Sequence, residues 1–60
     1  MDDLKKYKVV WLFEGEDEIR DFVLEAHDEI EAINEVHKMI KNIQQIIKYD
    51  GEYHFFLHRI

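Results

Sequence analysis

Residues 28–49, DEIEAINEVHKMIKNIQQIIKY, decide the fold because they hold a long helical pattern. Asp28, followed three residues later by Glu31, forms a capping-box pattern that predicts a helix start at Asp28. Apolar residues then recur at a spacing of three or four, which is the period of one helix face: Ile30, Ile33, Val36, Ile40, Ile43 and Ile47. This stretch therefore predicts an amphipathic helix with one apolar stripe.

The end of this helix is open to two interpretations. Asn42 can adopt the left-handed conformation that ends many helices, which predicts a helix over 28–42. A short strand over 45–49 and a last strand over 52–59 would then follow, joined by Asp50-Gly51 as a hairpin turn. Alternatively, the helix continues to about Tyr49 and leaves three strands.

Residues 7–26 predict a β-hairpin. The stretch 7–13 is rich in β-branched and aromatic residues, and 19–26 predicts a second strand. Between them lies an acidic turn with Gly15, which is free to adopt positive φ. Alternation places four large side chains of the first strand on one face: Tyr7, Val9, Trp11 and Phe13.

The predicted architecture is therefore α+β, in a single domain over residues 1–60. It consists of a β-hairpin, one helix, and one or two C-terminal strands (ββαβ or ββαββ). The helix packs on a small, mostly antiparallel sheet.

More apolar surface is present than one helix and one sheet face can bury. Val10 and Leu12 point away from the face of Trp11, while Met39 and Ile46 widen the helix stripe. A chain of 60 residues has a thin core, and the absence of cysteine removes disulfides as a support. We therefore expect a second buried surface, a homodimer interface in preference to a groove for another protein.

The charge is concentrated in one part of the chain. The net charge is −6, and of the fourteen acids ten lie within residues 14–35, where Arg20 is the only Lys or Arg. A nucleic-acid binder carries the opposite charge, so direct nucleic-acid binding is not expected. A negative surface of this kind instead favours docking onto a protein with a basic groove.

The residue inventory argues against an enzyme. The chain has no Ser, Thr or Cys to serve as a nucleophile, and its two glycines cannot form a phosphate-binding loop. His54 and His58 share a face of the last strand but lie about 13 Å apart, too far to bind one metal ion. We expect no catalytic residues, no metal and no cofactor.

No stretch predicts targeting or membrane insertion. The apolar run 9–13 is shorter than the core of a signal peptide, and no run approaches the ~20 residues that span a bilayer. The expected location is the cytoplasm, that of the host cell if the protein is phage-encoded.

The order of hairpin, acid-rich helix start and closing strand, in a small acidic chain without cysteine, resembles the uracil-DNA glycosylase inhibitors of Bacillus phages. Members of that family are dimeric DNA mimics that occupy the DNA-binding surface of the glycosylase. Their helix begins with an acid–aromatic–Glu triplet; Glu29-Ile30-Glu31 stands in that place here, with Ile30 at the aromatic position. Small phage anti-CRISPR proteins have a similar size and acidity.

The resemblance and the charge pattern together imply an inhibitor of a nucleic-acid enzyme, with uracil-DNA glycosylase as the leading target. Its carboxylates would stand in for phosphates, and two apolar side chains would anchor the contact. The candidate partner-binding residues are Glu16, Asp17, Glu18, Asp28, Glu31 and Glu35, with Ile30 and Met39 as anchors. Alternative functions are an anti-CRISPR inhibitor, or a structural or assembly module that uses the second apolar face.

Overall fold

The computed structural model describes residues 3–60 as a three-stranded sheet with one helix on it. The elements are β1 (Lys5–Phe13), β2 (Arg20–Ala26), α1 (Glu29–Ile47) and β3 (Tyr53–Arg59). Both strand pairs are antiparallel, and the order β2-β1-β3 puts β1 in the centre. The predicted α+β class is confirmed in its ββαβ form.

The core is one layer of side chains between β1 and α1. Tyr7, Val9, Trp11 and Phe13 are buried, whereas Lys8, Val10 and Leu12 alternate with them and are only partly covered. The helix contributes the buried residues Ala32, Val36 and Ile40. The predicted alternation of β1 is thus confirmed, and the opposite face of the sheet is left open.

The helix begins where the capping pattern predicts. Asp28 is the N-cap, and its Oδ1 accepts a 2.8 Å hydrogen bond from the backbone N–H of Glu31. The Glu31 carboxylate in turn accepts a 3.4 Å hydrogen bond from the backbone N–H of His27. In the standard capping box this donor is the N–H of the N-cap residue, which here is Asp28. The bond to Asp28 satisfies a backbone donor that the first helical turn leaves unpaired, and the bond from His27 fixes the chain just before the cap.

The prediction of a helix end at Asn42 is wrong, and so is the predicted strand over 45–49. The helix continues to Ile47, so the alternative with three strands is confirmed. Ile43 packs against the core cluster, and Gln44 Nε2 donates a 2.8 Å hydrogen bond to the carbonyl of Gly51. These tertiary contacts stabilise the last turns and outweigh the local preference of Asn42.

The predicted hairpin turn at Asp50-Gly51 is also wrong, because the residues before it belong to the helix and not to a strand. These residues belong to the connection between α1 and β3. A side chain at position 51 would have to displace the phenol ring of Tyr49, which lies where its Cβ would begin. That ring packs on Phe13 with 4.6 Å between centroids, and its hydroxyl donates to the carbonyl of Glu14 at 3.0 Å.

Lys48 closes the helix in a conformation that suits glycine better. It has φ 58° and ψ 42°, and its N–H donates to the carbonyl of Gln44. Because a side chain is strained in the left-handed region, Lys48→Gly is expected to raise the free energy of unfolding by about 1 kcal/mol. Denaturant unfolding measures the change.

The control for this substitution is Lys41→Gly, at an exposed site inside the same helix. It should lower the free energy of unfolding by about 1 kcal/mol, because glycine is unfavourable in a helix interior. Equal losses in both variants would contradict the assignment of Lys48 as the helix end.

The fold leaves a large apolar surface uncovered. The total accessible surface, polar and apolar together, is 4665 Å². A folded monomer of this mass is expected to expose about 4,200 Å² in total. Phe56 is 73% exposed and Val23 54%, both on the open face of the sheet.

Within residues 3–60, no helix has the length and hydropathy to cross a membrane.

Candidate interaction surface: the acidic β2 edge

The predicted acids lie at both ends of β2. Glu16, Asp17 and Glu18 lie in the turn before this strand, and Asp28 follows its end. Seven residues of strand separate the two groups by about 23 Å. The structure therefore places the acids along one edge of the sheet instead of gathering them in a single cluster.

The helix adds further acids on the side of β2. His37 contacts the rings of Tyr53 and Phe55, so that flank of α1 faces β3. Glu31, Glu35 and Met39 follow one another at intervals of four residues, on the flank about half a turn away from His37. This row of side chains therefore borders β2.

The two predicted apolar anchors do not share a surface. Ile30 and Met39 are nine residues apart, which is about half a turn at ~100° per residue. Ile30 accordingly lies near the flank of His37, on the β3 side, where it is 72% exposed. Of the two, only Met39 can join the acids beside β2.

β2 itself contributes two acids that the candidate set lacked. Asp21 and Glu25 flank Val23 on the open face and are exposed. Their spacing of four residues, which puts them on one face of a strand, was visible in the sequence, but the position of β2 at an edge of the sheet was not. We call the surface formed by Asp17, Asp21, Glu25, Glu31, Glu35 and Met39 the β2 edge surface.

Two of the turn acids have a structural partner. Glu16 Oε1 lies 3.3 Å and Glu18 Oε1 3.7 Å from the Arg20 guanidinium. Arg20 in turn lies over the core rings, with its Cζ 5.2 Å from the centroid of Trp11 and 5.4 Å from that of Phe13. Glu16 and Glu18 thus help hold a cation–π contact, whereas Asp17 pairs with no other residue that the structure describes.

The acids of the helix also divide into those that have a structural role and those that do not. Asp28 and Glu31 form the N-terminal cap, and Glu31 also lies 3.0 Å from His27 Nδ1. Glu35 has an exposed Lys38 at 3.7 Å, a surface pair that contributes little to stability. On β2, Asp21 lies 4.0 Å from Lys8 Nζ, whereas Glu25 makes no ion pair within residues 3–60. The acids freest to meet a partner are therefore Asp17, Glu25 and Glu35.

The backbone of β2 is also available. Glu14 N–H donates to the Glu52 carbonyl and Ile60 N–H to the Lys6 carbonyl, so even-numbered residues of β1 bond to β3. The odd-numbered residues of β1 then bond to β2, and the β1–β2 register leaves Asp21, Val23 and Glu25 pointing their N–H and C=O groups outward.

Within residues 3–60, no group of His, Cys, Asp and Glu side chains is arranged to hold a metal ion. No protein-family model, curated protein or solved structure matches the chain. The chemistry of the β2 edge surface is that of spaced carboxylates beside a free strand edge, which favours contact with Lys and Arg side chains.

Proposed function

We propose that this protein is a non-enzymatic inhibitor that occupies the basic nucleic-acid groove of an enzyme with its β2 edge surface. In this role the carboxylates take the place of phosphates, so the protein acts as a DNA mimic. Uracil-DNA glycosylase is the leading target, because the order of elements and the acid-rich helix start resemble its phage inhibitors.

The observation that carries the proposal is the difference between the two edges of the sheet. Acids lie before, on and after β2, whereas β3 holds His54, His58 and Arg59 and no acid. The β2 acids lie on the open face and the helix acids on the covered side of the sheet, so negative charge borders this edge from both faces. A charged surface of this shape accelerates association with a groove of opposite sign.

The test is uracil excision from DNA by a bacterial uracil-DNA glycosylase. An excess of this protein is expected to stop excision, and added salt should restore it because exposed charge contacts are screened. Full excision in the presence of excess protein at low salt would contradict the glycosylase as target. Inhibition of a CRISPR nuclease in the parallel DNA-cleavage assay would then support mimicry with a different target.

A second candidate is an assembly module that binds through the open face of the sheet. The exposed Phe56 and Val23, with Val10 and Leu12 of the intervening strand β1 on the same face, favour this interpretation. Such binding is apolar and resists salt, so it differs from the first candidate in its salt dependence. If the flank of Met39 also takes part, Met39→Asp or Ile46→Asp should abolish assembly.

A further inference from the structure

The two edges of the sheet differ in their protection against pairing. Edge strands of natural proteins commonly carry charged residues or proline, which prevent association with another strand. If β2 paired antiparallel with a second copy about Val23, Asp21 would lie opposite the partner's Glu25, and like charges in that position repel. β3, with the sequence YHFFLHR, has neither an acid nor a proline, and its one Lys or Arg is Arg59 at the end of the strand.

The free backbone groups of β3 can be assigned to individual residues. Ile60 N–H donates to the Lys6 carbonyl at 3.0 Å and Glu14 N–H to the Glu52 carbonyl at 2.8 Å. The even-numbered residues of β3 therefore bond to β1, and the odd-numbered residues point outward: Tyr53, Phe55, Leu57 and Arg59. Within residues 3–60, nothing pairs with these outward backbone groups.

We infer that β3 pairs antiparallel with β3 of a second copy about a two-fold axis at Phe56. In such a pair the outward N–H and C=O groups of one strand must meet the outward groups of the other. The register centred on Phe56 fulfils this condition and aligns all seven residues of the strand. Phe55 then exchanges hydrogen bonds with the partner's Leu57, and Tyr53 with the partner's Arg59. The product is a continuous six-stranded antiparallel sheet with both helices on one face.

The side chains fit this register. Phe56 meets the partner's Phe56 in a non-hydrogen-bonded pair, the position where cross-strand side chains are closest. Phe55 and Leu57, half-buried under the helix, cover one another on the other face. Arg59 lies beside the partner's Tyr53 ring, which suits a cation–π contact.

This self-complementarity is the reason for assigning the edge to a second copy and not to a strand of another protein. Seven paired residues span about 24 Å, which gives an interface at the small end of the known range, below about 1,200 Å². The monomer–dimer equilibrium therefore has to be followed up to several hundred micromolar.

A single cysteine tests the register. The chain has no cysteine, so Phe56→Cys introduces one thiol per copy, at the two-fold axis. The expected separation of the paired Cα atoms is about 4.5 Å, inside the range of roughly 4.4–6.8 Å that disulfides require. Mild oxidation should convert most of this variant to a covalent dimer. Val23→Cys, on the same face but on β2, is the matched control and should cross-link at least about tenfold more slowly.

Charged substitutions of Phe56 test the same interface without forming a covalent bond. Phe56→Lys and Phe56→Glu should each weaken the dimer at least about tenfold, because they lose an aromatic pair and set like charges opposite. An equimolar mixture of the two variants should recover association in analytical ultracentrifugation. Val23→Lys is the control and should leave the dissociation constant unchanged.

Three results would overturn the inference: an unmodified protein that stays monomeric at several hundred micromolar, equal cross-linking of the two cysteine variants, or equal weakening by Val23→Lys and Phe56→Lys. The last result would assign association to the open sheet face. The inference is independent of the proposed inhibitor function, because none of its residues belongs to the β2 edge surface.

Discussion

Reversing Glu25 and Glu35 to lysine is expected to slow association with the target roughly 10- to 100-fold at low ionic strength, because steering by the β2 edge surface is lost. Both carboxylates are exposed, and neither belongs to the helix cap. The new lysines lie opposite Lys6 and near Lys38, at a cost in folding free energy of at most about 1 kcal/mol each. Stopped-flow or surface-plasmon kinetics across a salt series measures the effect.

The matched control reverses Asp50 and Glu52, two exposed acids in the connection before β3. Both double variants change the net charge from −6 to −2, since each reversal adds two units. If location matters, only the first variant loses its steep salt dependence. Equal slowing in both would show that net charge, and not the β2 edge surface, controls association.

Trp11→Ala is expected to leave the protein largely unfolded. Trp11 is 3% exposed, contacts Phe13 edge-on with 5.0 Å between ring centroids, and lies under Arg20. Removing a buried tryptophan side chain costs about 3–5 kcal/mol, and a domain of this length has a total stability of only about 3–9 kcal/mol. Far-ultraviolet circular dichroism and amide-proton dispersion in NMR spectra measure the loss.

Trp11→Phe is the control for that loss, because it keeps an aromatic ring between Phe13 and Arg20. It should remain folded and unfold cooperatively at a lower denaturant concentration than the unmodified protein. A Trp11→Ala variant within about 1 kcal/mol of the unmodified protein would contradict the assignment of Trp11 to the centre of the core.

The sequence predicts the parts of the fold that depend on local pattern. Alternation in β1 identifies Tyr7, Val9, Trp11 and Phe13 as its buried face, and Asp28 with Glu31 marks the helix start. The helix end was open between two interpretations, because Asn42 and Asp50-Gly51 are local signals for ending a helix and making a turn. The contacts of Ile43 with the core and of Gln44 with Gly51 are tertiary, and they decide the outcome.

The negative charge of the candidate surface could be predicted from the sequence, but the arrangement of its residues in space could not. The density of acids over residues 14–35 is a property of the sequence, yet strand order decides that they border a free edge. The pairing of Glu16 and Glu18 with Arg20 and the separation of Ile30 from Met39 also depend on the three-dimensional arrangement. Asp21 and Glu25 gain their significance only when β2 is known to be an edge strand.

Affinity capture from bacterial lysate, with the tagged protein and the Glu25→Lys/Glu35→Lys variant compared side by side, tests whether the β2 edge surface binds a nucleic-acid enzyme. Bound proteins are eluted by a salt gradient and identified by mass spectrometry. The unmodified protein is expected to retain a nucleic-acid enzyme that elutes in moderate salt, whereas the variant should retain none. Capture of the same proteins by both, with elution that resists salt, would contradict this prediction.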